Sequence, residues 1–170
     1  IKNSFQDNKV VLLHGVTSSG KTEVYVKLIE EFLSQGKQAL YLLPEIALTT
    51  QLISRLQAYF GEKVAVYHSK YNVQERVEVW NNVLENKPVA QIVIGARSAL
   101  FLPFKDLGLV IVDEEHESSF KQYDPAPRYH ARDAAIVLGN LHGSDILLGS
   151  ATPSVESFYN VKVGKYGYAH

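Results

Sequence analysis

Short apolar runs alternate with longer amphipathic segments along most of the chain. The apolar runs predict buried strands at 10–14, 38–44, 63–68, 91–95, 107–113 and 145–150. Segments with helical spacing end near Gln35 and Leu84, or cover 47–60, 131–141 and 153–160. Apolar strands that alternate with helices are typical of a parallel sheet covered on both faces. The pattern therefore predicts an α/β fold with a mostly parallel central sheet and helices on both faces.

Local signals mark where the predicted helices begin and end. Asn72 and Glu75 form a capping-box pattern at the start of one helix. Gly36 and Gly61 follow two other helices, at the position where glycine commonly ends a helix. Pro153 is predicted in the first turn of the last helix, where its missing N–H is not needed.

Composition narrows the classes of protein. The chain has 170 residues, of which 46% are hydrophobic, enough for one domain with a sizeable core. It contains no cysteine, which excludes disulfides and thiolate metal sites within these residues. The formal net charge is -1, so binding to nucleic acid would depend on local basic groups.

The apolar runs and the first residues of the sequence indicate where in the cell the protein is expected and whether the sequence is a piece of a longer one. No apolar run approaches the length of a membrane span and no signal peptide is recognisable, so we expect a cytoplasmic protein with no membrane partner. The sequence begins at Ile1 and contains no methionine, so we expect it to be a piece of a longer protein.

The segment GVTSSGKT fits the phosphate-loop pattern G-x-x-x-x-G-K-[ST]. It follows a predicted strand and opens a predicted helix, which is the context that this motif requires. Backbone N–H groups in such a loop bind phosphate oxygens, and glycine lets the backbone approach them. The predicted nucleotide-binding residues are Gly15, Thr17, Ser18, Ser19, Gly20, Lys21 and Thr22. The alternative is a chance Gly/Ser-rich turn.

The segment LVIVDEEH places carboxylates at the end of a predicted strand, where ligands bind in open α/β sheets. Lys21 is expected to reach the β- and γ-phosphates of a bound nucleotide, while Thr22 and Asp113 hold Mg²⁺, Asp113 through water. Glu114 is placed to orient and polarise an attacking water. A solvated acidic strand end is the alternative, and the nearby phosphate loop argues against it.

The segment LLGSATPS ends another predicted strand. The hydroxyls of Ser150 and Thr152 can hydrogen-bond to the acidic cluster or to another domain. A helix N-cap followed by a turn would give the same pattern, and the residues alone leave that alternative open.

Together the motifs resemble the first motor domain of superfamily 2, DEAH-like helicases, and more closely that of the primosomal replication-restart DNA helicases. The resemblance extends from about Val10 to Tyr159 and is carried by GVTSSGKTEVY, LLPEIALT, IGARSALF, DEEH, KQYDPAPRYHARD and GSATPS. It implies that residues 1–170 form a single RecA-like, P-loop NTPase domain that binds ATP, with a second RecA-like motor domain outside them.

The resemblance also implies roles for single residues. The catalytic residues that it implies are Lys21, Asp113, Glu114 and His116, with ATP and Mg²⁺ as cofactors. The residues that it implies for DNA binding, or for coupling hydrolysis to DNA and to the second domain, are Arg97, Ser98, Phe120, Tyr123, Tyr129, Arg132, Ser150 and Thr152.

Residues 117–130, called the aromatic loop below, directly follow the acidic cluster. Phe120, Tyr123 and Tyr129 offer rings on which bases of single-stranded DNA stack, for ~1–3 kcal/mol per base. Arg128 and Arg132 add cation–π and phosphate contacts. The alternative is that these rings pack beneath the loop as a satellite core.

The resulting hypothesis is a motor domain that couples Mg²⁺–ATP hydrolysis to translocation along forked and single-stranded DNA during replication restart. By resemblance, primosome and single-strand-binding proteins are expected partners. A double-stranded DNA translocase, such as a restriction-type motor subunit, is the alternative with the same chemistry. A phosphotransferase is disfavoured by GSATPS after DEEH, and a pure nucleotide-binding module stays open.

Overall fold

The predicted apolar runs become strands of one parallel sheet. The computed structural model describes residues 1–16, 20–68 and 71–170. Within these ranges the strands are β1 (Val10–His14), β2 (Gln38–Leu42), β3 (Val64–Tyr67), β4 (Ile92–Gly95), β5 (Leu107–Asp113), β6 (Asp145–Ser150) and β7 (Gly167–Ala169). They form a seven-stranded sheet in the order β3-β4-β2-β5-β6-β1-β7, and every pairing is parallel.

Helices cover both faces of this sheet. They are α1 (Lys2–Asp7), α2 (Lys21–Ser34), α3 (Thr50–Phe60), α4 (Val73–Leu84), α5 (Ala131–His142) and α6 (Val155–Lys162). Side chains of α1, α2 and α3 pack with Val11 and Leu13 on one face. Side chains of α4, α5 and α6 pack with Val10 and Leu12 on the other. Successive strand residues point to opposite faces, so strands β1 to β6 each supply side chains to both cores. The predicted α/β architecture is confirmed.

The sequence pattern did not predict two short elements, α1 and β7. Both are too short to show a clear period. β7 lies at the edge of the sheet formed by the described residues and pairs with β1, through contacts such as Val11 with Gly167. Its strand conformation therefore depends on a partner that is distant in sequence.

Two predicted helix starts are wrong. α3 begins at Thr50, because the Thr49 hydroxyl caps it by accepting the Leu52 N–H at 3.3 Å, and Glu45–Ala47 forms a separate 3₁₀ turn. α6 begins at Val155 with Ser154 as its cap, so Pro153 precedes the helix instead of lying in its first turn. The capping box at the start of α4 is confirmed.

The carboxyl ends of β1, β5 and β6 meet at one edge of the sheet because these strands are parallel neighbours. The predicted catalytic residues lie at these ends, as Asp113 does, or in the segments that follow them. None of the described helices combines the length and apolar character needed to cross a bilayer.

Candidate functional site

The phosphate-loop segment connects β1 to α2. Gly20 caps α2 with φ of 86°, a left-handed conformation that glycine adopts at little cost. The Lys21 ammonium donates to the carbonyl oxygens of Gly15 at 2.8 Å and Val16 at 3.3 Å, so it lies folded against the loop. Gly15 in turn donates its N–H to the Ser150 carbonyl at 3.1 Å, which fixes the loop to β6. Lys21 therefore lies beside a helix N-terminus, as a phosphate site requires.

Three predicted phosphate ligands, Thr17, Ser18 and Ser19, lie outside the described residues. The other members of the motif are placed. Lys21 and Thr22 are the first two residues of α2, and both are partly buried.

Asp113 is the last residue of β5, and two buried phenols donate to its carboxylate. Tyr25 Oη lies 2.8 Å from Oδ1, and Tyr41 Oη lies 3.0 Å from Oδ2. Burial, followed by the negative charge of Asp113, raises the pKa of both Tyr25 and Tyr41 well above the ordinary value, so both phenols stay protonated and can donate. Sequence reasoning missed both tyrosines. The available signal was a hydroxyl in an otherwise apolar strand or helix face, because a buried phenol needs a partner.

Glu114 follows with a backbone φ of 52°, which is unusual for a residue other than glycine. Partial burial, and then repulsion from the Asp113 carboxylate, raises the pKa of Glu114, while Lys21 and His116 partly offset this rise. A carboxylate with a raised pKa is a better proton acceptor than an ordinary glutamate.

The DEEH and SATPS segments are joined through His116. Its Nδ1 is hydrogen-bonded to Ser150 Oγ at 2.8 Å, and its Nε2 to Thr152 Oγ1 at 3.2 Å. His116 Nδ1 also lies 3.7 Å from the Glu114 carboxylate. The predicted contact between these hydroxyls and the acidic cluster is therefore present.

Three of the four predicted catalytic residues, Lys21, Asp113 and Glu114, line a cavity of about 430 Å³, and His116 is not among its lining residues. It is lined by Gly20, Lys21, Thr22, Glu23, Arg55, Asp113 and Glu114. Arg55, on α3, was not predicted, and its guanidinium is paired with the Glu23 carboxylate. The wall combines an ammonium, a hydroxyl and two adjacent carboxylates, which is the donor set that a Mg²⁺-bound phosphate chain needs.

A second cavity, of about 360 Å³, has among its lining residues several that the resemblance implies for DNA binding or coupling. Its lining includes Pro44, Glu45, Arg97 and Tyr123. Arg97 donates to the carbonyl oxygens of Ser119 at 3.2 Å and Lys121 at 2.8 Å, and so anchors the aromatic loop. Ser98 is the next residue of the same 3₁₀ turn, Arg97–Phe101, and is partly buried.

The aromatic loop divides into buried and exposed rings. Tyr123 is 68% exposed, and Tyr129 packs edge-on against Phe101 with ring centroids 5.2 Å apart. Phe120 is 1% exposed and belongs to the core beneath α5. Its prediction as a DNA-stacking ring is therefore wrong for this structure, because a base cannot reach a ring that the core encloses.

Arg132 also needs correction. It is 8% exposed, and its guanidinium donates to Glu115 at 3.1 Å, Ser154 at 2.7 Å and Asp133 at 2.9 Å. These bonds occupy the group that was predicted to contact DNA. The burial of its partner Glu115, which is complete, was not predicted. From the sequence alone, a third acidic residue in DEEH indicates one more solvated charge.

The profile of the DEAD/DEAH box helicase family matches residues 1–161. The chain belongs to the DEAD/DEAH box helicase family. A similar protein, replication restart protein PriA of Bacillus subtilis (strain 168), is 48% identical over 94% of this chain and 20% of that protein. PriA of Haemophilus influenzae is 52% identical over 92% of this chain and 21% of that protein. The chain thus spans about a fifth of the length of these curated relatives.

Solved helicase structures share the fold. RecG bound to a three-way DNA junction matches with a TM-score of 0.66 and 23% identity, over 95% of this chain and 20% of that one. The DUF1998 helicase MrfA bound to DNA matches with a TM-score of 0.68 and 19% identity, over 98% of this chain and 24% of that one. The predicted RecA-like fold is confirmed, and so is the resemblance to replication-restart helicases. The roles of single residues in this DEAD/DEAH box helicase domain stay predictions.

Proposed function

We propose that residues 1–170 form the ATP-binding motor domain of a DNA helicase that acts in replication restart. One observation carries this proposal. Lys21 and the Asp113–Glu114 pair line the same cavity, in a chain that is 48% identical over 160 residues to a replication restart protein. Membership of the helicase family supports nucleotide binding. The similarity to replication restart proteins supports DNA as the molecule along which the motor moves.

The phosphate chain of ATP would lie against the N-terminus of α2, with Lys21 moving from the loop carbonyls to the β- and γ-phosphates. Thr22 and Asp113 would hold Mg²⁺, which when bound neutralises charge on the phosphate oxygens. Both line the cavity together with Lys21, so the residues present fit this group.

Glu114 would orient the attacking water and accept its proton as the water oxygen bonds to the γ-phosphorus and ADP leaves. Partial burial, followed by the negative charge of Asp113, raises the pKa of Glu114, which favours this role. His116 connects Glu114 to the hydroxyls of Ser150 and Thr152. Movement of a second RecA-like domain against these hydroxyls would therefore change the position of the Glu114 carboxylate.

Tyr123 and Tyr129 would contact single-stranded or forked DNA, while Arg97 and Ser98 would face its backbone. Primosome and single-strand-binding proteins would be the partners of the full-length protein, acting in the cytoplasm. These partners follow from the similarity to replication restart proteins.

The test is steady-state ATP hydrolysis by the full-length protein without DNA, with duplex DNA and with forked DNA. We expect strong stimulation by forked DNA and weak stimulation by duplex. Lys21→Ala is the matched control, and it should abolish hydrolysis on every substrate. Equal stimulation by duplex would favour the double-stranded translocase, and hydrolysis indifferent to DNA would refute the helicase assignment.

A further inference from the structure

We propose that Tyr25 and Tyr41 are positioning residues for Asp113. The two phenols fix its carboxylate so that one free acceptor position, on Oδ2, can accept a hydrogen bond from a Mg²⁺-bound water. This inference rests on the proposed nucleotide site and adds two residues to it that lie behind the cavity wall.

The two phenols approach the carboxylate from different elements. Tyr25 projects from α2 to Oδ1, and Tyr41 projects from β2 to Oδ2. Both side chains are 0% exposed, and their rings pack edge to face with centroids 5.4 Å apart. One carboxylate oxygen is therefore held by each rigid, buried ring, which fixes the rotation of the carboxylate about its own axis.

The hydrogen bonds also limit what Asp113 can still bind. A carboxylate offers roughly four acceptor positions, two on each oxygen. Oδ1 accepts from Tyr25 at 2.8 Å and from the Glu114 N–H at 3.1 Å, so both of its positions are used. Oδ2 accepts from Tyr41 and keeps one position. One remaining acceptor suits a water molecule bound to Mg²⁺, an ion that usually keeps several waters in proteins.

The surrounding sheet keeps the Tyr25 hydroxyl in place. Gly149 of β6 lies against it, and a Cβ built at Gly149 would overlap Tyr25 Oη. The hydroxyl thus occupies the space that any other residue would fill with its side chain. The hydroxyl of an ordinary core tyrosine could donate to a backbone carbonyl. Here both phenols donate instead to the aspartate that is predicted to hold Mg²⁺.

The test uses the full-length protein with Tyr25→Phe, Tyr41→Phe and the double variant, each of which removes only a hydroxyl. Binding of a fluorescent ADP analogue is titrated at increasing Mg²⁺ concentration. Without Mg²⁺, binding should match wild type, because Lys21 and the loop are untouched. The Mg²⁺ midpoint, the concentration that gives half of the maximal increase in affinity for the ADP analogue, should rise about fivefold in each single variant and further in the double variant.

Tyr67→Phe is the matched control, because Tyr67 is also buried and its hydroxyl accepts from Arg76 at 3.4 Å, on a strand separated from β5 by two others. Its Mg²⁺ midpoint should equal that of wild type. An unchanged or lower midpoint in the double variant would overturn the inference.

A second comparison shows whether the phenols act through Asp113. In an Asp113→Asn background, Tyr25→Phe and Tyr41→Phe should produce no further shift of the Mg²⁺ midpoint. A further shift would contradict action through the carboxylate. A wild-type protein that binds no nucleotide at all would overturn the proposed function together with this inference, whereas normal binding with unshifted variants would overturn the inference alone.

Discussion

Glu114 and Gly149 show how tightly single positions are specified around the acidic cluster. A left-handed backbone at a residue other than glycine costs about 1–3 kcal/mol and persists only where neighbours enforce it. At Glu114, with φ of 52°, the next peptide is held by the Glu115 N–H bonding to the Gly149 carbonyl at 3.0 Å. Gly149 therefore supports the strained turn through its backbone and leaves room for Tyr25 by lacking a side chain.

Gly149→Ala is expected to destabilise the domain. The added Cβ would overlap Tyr25 Oη, which belongs to a fully buried side chain, and would lie 3.1 Å from Asp113 Oδ1. Overpacking of this kind costs about 1–3 kcal/mol. Urea unfolding of the 170-residue chain measures the loss in free energy of unfolding.

The control is a double-mutant cycle with Tyr25→Phe. Removing the phenol oxygen removes the closest overlap, so Gly149→Ala should cost less in the Tyr25→Phe background than in wild type. Equal costs in the two backgrounds would show that the overlap is not the cause. Tyr41→Phe should give no such relief, because the nearest atoms to the new Cβ belong to Tyr25 and Asp113.

Three elements are joined by the buried carboxylate of Glu115, which follows β5. It accepts from the Ser154 N–H at 2.7 Å and the Ser157 hydroxyl at 2.8 Å, at the start of α6. It also pairs with Arg132 of α5 at 3.1 Å. Because Arg132 follows the aromatic loop and Glu115 follows Glu114, this network sets the position of the loop relative to Glu114.

Glu115→Ala should strongly destabilise the 170-residue chain. It would leave the guanidinium of Arg132, whose side chain is 10% exposed, without its buried partner. Breaking a buried ion pair from one side costs about 3–5 kcal/mol. Unfolding in denaturant should show this loss, and the double variant Glu115→Leu, Arg132→Met should recover part of it because no charge is left buried.

The surface pair between Lys9 and Asp145 provides the comparison. Its atoms are 3.1 Å apart, but the Lys9 side chain is 62% exposed. Asp145→Ala should therefore cost about 0–1 kcal/mol. A Glu115→Ala cost as small as this would mean that the network does not join the three elements.

Two rings of the aromatic loop should behave differently when truncated. Tyr123→Ala, at a 68% exposed ring, should leave folding intact and weaken DNA binding by the full-length protein by about 1–3 kcal/mol, the value of one stacked base. Phe120→Ala, at a 1% exposed ring, should instead lower the free energy of unfolding by about 3–5 kcal/mol.

The measurements for these two variants are DNA stimulation of ATP hydrolysis and denaturant unfolding. Tyr123→Phe keeps the ring and should keep the stimulation. Undiminished stimulation in Tyr123→Ala would exclude this ring from the DNA contact.

For the whole molecule, pattern and motif predicted the sheet, most of the helices and the cavity that contains Lys21 and Asp113. Local signals sufficed there, because strand period and phosphate-loop spacing are properties of short segments. Burial was harder to predict. Phe120 and Arg132 lie in a segment rich in aromatic and charged residues. Only the packing of α5 against β5, and the hydrogen bonds of Arg132 to Glu115 and Ser154, show that both are enclosed. Tyr25 likewise gains its role from a carboxylate that is 88 residues away in sequence.

The last prediction concerns catalysis by the 170-residue chain alone. Motors of this type take an arginine finger from elsewhere, worth ~10³–10⁵ in rate. Arg55 lines the cavity, but its guanidinium is paired with the Glu23 carboxylate. We therefore expect the chain to bind ATP yet hydrolyse it about 10³-fold or more slowly than the full-length protein with forked DNA. Single-turnover hydrolysis, with Lys21→Ala as background, measures this rate, and turnover close to that of the full-length protein would show that the described cavity is already complete.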